Sequence, residues 1–432
     1  MKRTAAALIT LALSFMCASL LNQSTSGSLY SESYPAVVCP PTLSGLTSQI
    51  STPKTTFQSL ANRSAKTNVF KSYRYVINKD ALIVSANGVT PIIWQTRAGK
   101  WAGGTICSGP TSSQWFVGGS SDVTSRGHLI VTNSGLSDAI VDVQVFSEKG
   151  KQKLTSLAIK AKSNSAFALD ALATGNKILT VHVIPRSGRI NAFMIDERGT
   201  GLTSMGGDFV NSVSAPSTTL VIPAVPNQKV NKSQKIATRH IVRIMNTSSI
   251  KANFTLELQS TDGNFIPVGF DSQNLAPGVV TELALSPIVA ASAFAVRITS
   301  DEPVVAAISS VVSTKTGKDL VWSTPTPPLV PMTMAISGLA PAIIFTSATI
   351  SVQIEVTFFN SKKSRVIIKG SDVAVWHVPN AARTIRIIKS SADTYAGALT
   401  SDGNGYGYIP ITPGSLLTRV EVPRSNIRVL NP

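Results

Sequence analysis

Residues 141–145, 254–258 and 354–358 read VDVQV, FTLEL and IEVTF, three short segments in which apolar and polar residues alternate. A period of two sends successive side chains to opposite faces of a strand, so each segment has one buried and one wetted face. They lie 113 and 100 residues apart, and the same order of patterns returns around each. Turns at Glu148-Lys149-Gly150 and Thr261-Asp262-Gly263 follow the first two, the second a good hairpin signal. Next come Val181-His182-Val183, Val296-Arg297-Ile298 and Ile385-Arg386-Ile387, and then short apolar strands at 190–193, 304–307 and 395–399. Repeats of about 100 residues with six or seven strands and no long helix predict an all-β chain of tandem immunoglobulin-like β-sandwich repeats. A propeller with about 50 residues per blade fits less well, because the halves of each repeat are dissimilar.

Prolines cluster at 213–226 and in STPTPPLVP (323–331), and these mark boundaries. The expected organisation is a signal peptide or N-terminal anchor over 1–25, an N-terminal region over 36–114, and repeats over 115–212, 218–326 and 332–432. Repeats of this size can each hold a core, which predicts beads in a row. Charged residues are only 14% of the chain and hydrophobic ones 43%, so folded domains rather than disorder are expected.

Lys2 and Arg3 precede an uncharged run, with no further charge until Glu32, the pattern of a secretory signal or an uncleaved membrane anchor. Cys17 follows Phe15 and Met16, too bulky for a lipoprotein site, and is read as part of the apolar run. An exported chain with only Cys39 and Cys107 beyond that run is expected to join them in a disulfide closing a loop of about 70 residues.

The order Cys39-Pro40-Pro41, Cys107, QWFVGG (114–119), HLIVTN (128–133) and DEPVVAA (301–307) resembles an actinobacterial family of exported proteins catalogued only as a domain of unknown function. The resemblance covers most of the chain after about residue 36 and implies an envelope-associated protein with no established activity. The third repeat departs from it, with Thr346 and Ser347 where the others carry Asn133 and Asn246.

Catalytic patterns are not found. The four histidines are His128, His182, His240 and His377; the first and third open equivalent strands, and His182 alternates outward between two valines. G-x-S-x-G, H-E-x-x-H, the P-loop and the dinucleotide fingerprint do not occur. Asp262, Asp301 and Asp402 sit in turns, where aspartate binds backbone amides, and Asp170 reads as a turn or cap. SDGNG (401–405) lacks the downstream ligands of a calcium loop. No enzyme activity, cofactor or metal is expected.

Charge is more informative. Of the net +17, residues 51–110 carry +7, 227–251 carry +6 and 360–390 carry +6, leaving about −2 for the rest. For an exported protein the expected partners are anionic cell-wall polymers, acidic glycolipids or lipid headgroups, with other envelope proteins besides. Nucleic acid is not expected, because the clusters lack interleaved aromatics. The candidate anion-binding residues are Lys229, Lys232, Lys235, Arg239, Arg243, Lys362, Lys363 and Arg365. The expected function is a non-enzymatic envelope protein with a structural or interaction role. The alternative is a carbohydrate-binding or carbohydrate-active protein using Trp94, Trp101, Trp115 or Trp376. Trp101 and Trp115, which bracket Cys107, are otherwise expected to pack near the disulfide.

Overall fold

A computed structural model describes residues 30–32, 36–60, 66–201, 203–228, 239–286, 289–315, 317–403, 405–415 and 419–421. The signal or anchor segment therefore lies outside the described residues. Residues 35–415 form one compact unit; the remaining ends form another, in which β1 (Tyr30–Glu32) pairs with a last strand, β34 (Arg419–Glu421).

The large unit is four β-sandwich modules, not three. Module one holds β2 (Val37–Cys39), β3 (Thr47–Ser51), β4 (Thr56–Ser59), β5 (Asn68–Val69), β6 (Arg74–Ile77), β7 (Leu82–Val84), β8 (Val89–Thr90), β9 (Ile92–Arg97) and β10 (Trp101–Ile106). Module two holds β11 (Gln114–Val117), β12 (His128–Asn133), β13 (Ala139–Ser147), β14 (Gly150–Lys151), β15 (Thr155–Ile159), β16 (Ser163–Ala168), the short helix α1 (Leu169–Leu172), β17 (Leu179–Pro185), β18 (Ile190–Thr200) and β19 (Thr203–Val210). Module three holds β20 (Ser217–Pro226), β21 (Arg239–Asn246), β22 (Ala252–Ser260), β23 (Gly263–Phe265), β24 (Gln273–Leu275), β25 (Val280–Leu285), β26 (Ala293–Thr314) and β27 (Gly317–Ser323). Module four holds β28 (Met332–Ala335), β29 (Ala342–Phe358), β30 (Lys363–His377), β31 (Ala382–Ser390), β32 (Tyr395–Ser401) and β33 (Tyr406–Pro410).

The sheet orders reveal the repeat. One sheet of each module runs β6-β3-β9-β10, β16-β12-β18-β19, β25-β21-β26-β27 and β30-β29-β32-β33. The other runs β2-β7-β4-β5, β11-β17-β13-β15, β20-β26-β22-β24 and β28-β31-β29-β30. Long strands in modules three and four cross from one sheet to the other. The N-terminal region, expected to be a distinct segment, is thus the first copy of the repeat. The three alternating segments that defined the repeat occupy matching places in β13, β22 and the second half of β29.

The Asn position explains the departure of the last copy. Buried Asn133 gives its amide to the carbonyls of Ser137 and Ile159 and accepts from Gly135 N–H, closing the turn after β12. Asn246 does the same with Ile250, Leu275 and Ser248 after β21. In module four there is no such turn, because β29 runs straight through with a bulge between Ser347 and Ile350.

The modules are not beads in a row. Val38 and Trp101 pack with Ile130, Phe193 and Phe209, joining modules one and two. Val117 and Val210 share a core with Met245, Val305 and Trp322, joining two and three. Ala224, Ala295 and Val321 pack against Ile344, Leu399 and Tyr408, joining three and four. Ile92, Trp94 and Ala102 pack into the core of module four, which returns the cycle to module one. Strand β8 also pairs in parallel with β28.

Where the cycle closes, the edge strands β10, β19, β27 and β33 face one another. An exposed sheet edge leaves N–H groups without partners. Here two buried carboxylates supply them. Asp319 in β27 accepts N–H from Gly207 at 3.0 Å, Leu320 at 2.7 Å, Ala102 at 3.2 Å and Tyr406 at 2.9 Å, so one side chain binds all four edges. Asp208 in β19 accepts from Phe209 and from Trp322 across the junction. The backbones approach so closely that only glycine fits at two points. A Cβ on Gly206, which has φ +102°, would lie 2.3 Å from Leu320 N, and one on Gly405 would lie 2.2 Å from Ala102 N.

The disulfide joins Cys39, at the end of β2, to Cys107 just after β10, with Cα atoms 4.4 Å apart and both residues buried. It ties the two sheets of module one together. Replacing both cysteines by Ala should cost about 2–4 kcal/mol in denaturant unfolding, through loop entropy regained by the unfolded chain. Alkylation of both thiols in the unreduced protein would contradict the bond.

Candidate functional site

The basic residues do not form three equivalent patches. Lys229, Lys232 and Lys235 lie outside the described residues. Arg239 is exposed at the start of β21. Arg243 is the opposite of a docking residue: its side chain is 0% exposed. Its guanidinium binds Glu282 at 2.6 Å and the carbonyls of Gly119 and Leu179 at 2.6 and 2.9 Å, and lies 4.9 Å from the Trp322 ring. Arg243 belongs to the joint between modules two and three, and the expectation that it meets an external anion is withdrawn. In module one, Arg97 pairs with Glu197, and Arg74 donates to the Gly338 carbonyl of module four.

Lys362, Lys363 and Arg365 do form part of an open basic face. It is built by β30, β29 and β31 of module four. Apolar Val352, Ile354 and Val356 of β29 point into the core, leaving Ser351, Gln353, Glu355 and Thr357 on the solvent side. Opposite residues of an antiparallel pair share a face. On β30 these are Lys369, Ile367, Arg365 and Lys363, each opposite the β29 residue in that order. On β31, Lys389, Arg386 and Thr384 lie opposite Gln353, Glu355 and Thr357, the register restored after Ile387 by a bulge. Lys363, Arg365, Lys369, Arg386 and Lys389 are all exposed, and Glu355 is the one carboxylate among them. Lys363 binds Glu355 at 2.9 Å and Arg365 approaches it at 3.6 Å. The Lys363 hydrogen bond, with the charges of Lys363, Arg365 and Arg386, holds the Glu355 carboxyl below its ordinary range. The side chains of Lys369, Arg386 and Lys389 make no hydrogen bond or ion pair among the described residues. Lys362 is exposed in the turn that leads into β30.

These three cations were not among the expected site residues. The run K-S-R-V-I-I-K places Lys363, Arg365 and Lys369 on one face by alternation. The bulge on β31, which aligns Arg386 and Lys389 with them, has no comparable signal.

The other expectations resolve residue by residue. Trp94, Trp101 and Trp115 are buried, and half-buried Trp376 packs against the module-four core, so the aromatic platform of the carbohydrate-binding alternative is not formed by the first three. Trp101 packs at the joint with module two, and Trp115 stacks on His182 at 3.7 Å, away from the expected place beside the disulfide. His182 is therefore half-covered rather than free in solvent. Ser113 Oγ lies 2.9 Å from its Nε2, and burial lowers its pKa to about 4. His240 is buried against Phe294 with Ser310 at 2.9 Å, and burial lowers it likewise to about 4. His128 contacts the Arg126 carbonyl at the start of β12. Asp262 and Asp402 bind backbone amides from turns as expected, accepting from Ala290 and Gly405, whereas Asp301 lies within strand β26 rather than in a turn and accepts from Asn253 N–H. Asp170 stands exposed in the first turn of α1, whose N-cap makes no side-chain hydrogen bond. Among the described residues, no three His, Cys, Asp or Glu side chains gather as a metal site.

Burial raises the Asp319 carboxyl to about 7 against the pull of its four N–H donors. Asp208 is raised well above the ordinary carboxylate range by burial, with Asp319 adding like-charge repulsion. Trp322 Nε1 donates to Asp196 at 2.9 Å, and Asp196 also pairs with Arg198. Asp319 and Asp208 are enclosed and accept backbone N–H groups from strands that meet at the junction, which they hold together.

A sequence model of a family described as "Family of unknown function (DUF5719)" matches residues 84–375, from the end of module one into module four. The chain belongs to this family. The match to DUF5719 takes in two whole modules and parts of the other two, including the joint at Arg243 and Asp319. No curated protein matches this DUF5719 chain. Among solved structures, Thermotoga maritima 1070 aligns over 26% of the chain and 94% of its own length, at 15% identity and a TM-score of 0.22. A tetra-tandem repeat from the extending region of a large adhesion protein aligns over 88% of the chain and 92% of its own, at 9% identity and a TM-score of 0.13. Likenesses this weak carry no argument. No helix among the described residues is long and apolar enough to cross a membrane.

Proposed function

We propose that this DUF5719 protein is a non-enzymatic exported component of the cell envelope that docks on anionic envelope material. The observation that supports this most is the open face of module four, where five exposed cations surround one carboxylate already engaged by two of them. A face set on a sheet within a closed body holds the backbone positions of its charges fixed, so no loop ordering opposes binding. Lys229, Lys232 and Lys235 supply further positive charge from the same chain. The apolar leader supports export, and the earlier resemblance supports an actinobacterial envelope as its setting.

Exposed charges are screened over about 8 Å at physiological salt, so docking should weaken steeply as salt rises. The test compares wild type with K362E/K363E/R365E on purified wall polymer and on anionic vesicles across a salt series. The variant should bind about tenfold or more weakly at low salt, a loss of about 1.4 kcal/mol. Reversing Lys229, Lys232 and Lys235 instead should weaken binding without abolishing it, since charges carried on one chain act together. Binding that ignores both salt and charge reversal would contradict the reading.

A further inference from the structure

We infer that the basic face of module four is a trough for a single linear phosphodiester polymer, lying along β29 between cationic walls on β30 and β31. This rests on the docking reading above and goes further, in naming the occupant and its path.

The sheet itself sets the form. Strands lie about 4.8 Å apart, so the side chains of β30 and β31 flank those of β29 as two rows roughly 10 Å apart. The middle row is made of the shorter Ser351, Gln353, Glu355 and Thr357, and the outer rows carry the long Lys363, Arg365, Lys369, Arg386 and Lys389. Long cationic side chains rising on both sides of a short polar row enclose one chain's width. Along a strand, side chains on one face recur about every 7 Å, so Lys363 and Arg365 are successive on the β30 wall, exposed Ile367 separates them from Lys369, and Arg386 and Lys389 follow one another on β31 across its bulge.

The chemistry of floor and walls matches a polyol phosphate. Arg365 and Arg386 flank the same floor position, opposite Glu355 from either side, and paired guanidinium groups suit phosphate oxygens through bidentate hydrogen bonds. Ser351, Gln353, Thr357 and Thr384 offer hydroxyls and an amide to the uncharged links between phosphates. Glu355 opposes an anion and holds Lys363 and Arg365 inward, which makes it a gate on affinity. A lipid surface would engage the face as a plane and have little use for a recessed row of hydroxyls.

The test uses the full exported protein with polyglycerol phosphate, its monomer glycerol phosphate, polygalacturonate and phosphatidylglycerol vesicles. The two walls are reversed separately, as K363E/R365E and R386E/K389E, and the floor is neutralised as Glu355→Gln. Each wall variant should weaken polyglycerol phosphate binding about tenfold, and Glu355→Gln should strengthen it severalfold, an outcome that a damaged fold would not produce. The monomer should bind far more weakly than the polymer. Loss from the β30 wall alone, with β31 reversal and Glu355→Gln silent, would overturn the trough while leaving electrostatic docking in place. Polygalacturonate binding as tightly as polyglycerol phosphate would overturn the choice of phosphate, and vesicles binding more tightly than either polymer would point to a lipid surface instead. Failure to bind any of these polyanions at low salt would remove the docking reading itself.

Discussion

Asp319→Asn is expected to destabilise residues 35–415 as a body, by about 2–6 kcal/mol. The carboxylate offers two acceptor oxygens to four N–H groups, one or more from each of β10, β19, β27 and β33. Asparagine keeps one oxygen and turns an NH2 toward the remaining donors, leaving two buried N–H groups unsatisfied at about 1–3 kcal/mol each. Denaturant unfolding of wild type and variant measures the loss. A change under about 0.5 kcal/mol, the range of ordinary surface substitutions, would show that the four edges do not depend on this side chain.

The same carboxyl shapes the pH dependence. Unfolded, it titrates near 3.8; folded, near 7; so the native state binds the extra proton between those values and loses stability as pH rises through 7. Asp208, raised for the same reason, acts in the same direction. His182 and His240 have the opposite sign: lowered from 6.5 to about 4, they contribute stability above 6.5 that is lost on acidification toward 4. Between those values the two pairs oppose one another, and above 6.5 the carboxylates act alone. Denaturant unfolding across pH should therefore show stability changing little from about 4 to 6.5 and falling as pH rises toward 7, where the share of Asp319 ends and Asp208 alone continues the fall; Asp319→Asn should shrink the fall below 7 and let stability rise between 4 and 6.5.

Arg243→Ala is expected to cost about 3–5 kcal/mol, the usual effect of breaking a buried pair from one side. Its partner Glu282 keeps 24% side-chain exposure and can recover water, so much of the loss falls elsewhere. The carbonyls of Gly119 and Leu179 lose their donor, and one of the largest fully buried side chains in the body leaves a cavity beside Trp322. Arg243→Lys should recover less than half, because one ammonium cannot reach the carboxylate and both carbonyls in the geometry of a planar fork. Near-neutral behaviour of Arg243→Ala in urea unfolding would mean that modules two and three are not joined through this residue.

Strand-level patterns carried much of the architecture into view. The alternation in VDVQV, FTLEL and IEVTF located equivalent strands in three modules, and the two cysteines beyond the N-terminal apolar run located the disulfide. Module one escaped because its strands β4, β5 and β6 span only four, two and four residues, and buried Ser48, Ser51 and Gln95 interrupt its alternation. Arg243 stands in the apolar run HIVRIM, and a charge in such a run can be either a surface residue or a buried tie; only the neighbouring module decides. The closure was least legible. It depends on backbone N–H groups that meet across modules, on glycines that permit the approach, and on an aspartate indistinguishable in sequence from one in a turn. Of the basic face, the β30 row follows from alternation, whereas its β31 counterpart depends on a bulge and on which strand lies beside β29.

Hydrogen exchange at the four edge strands tests the closed four-module body most directly. In a row of separate modules, β10 and β33 would be free edges, and their outward N–H groups would exchange rapidly with water. In the closed body Ala102, Gly207 and Tyr406 donate to Asp319, the first two from buried and the third from partly buried positions in the junction, so peptides spanning β10, β19 and β33 should be among the slowest to exchange. Asp319→Ala, which removes both acceptor oxygens, should release all three together. Rapid exchange at Ala102 and Tyr406 in the wild-type protein, or release of one strand without the others, would contradict the closure.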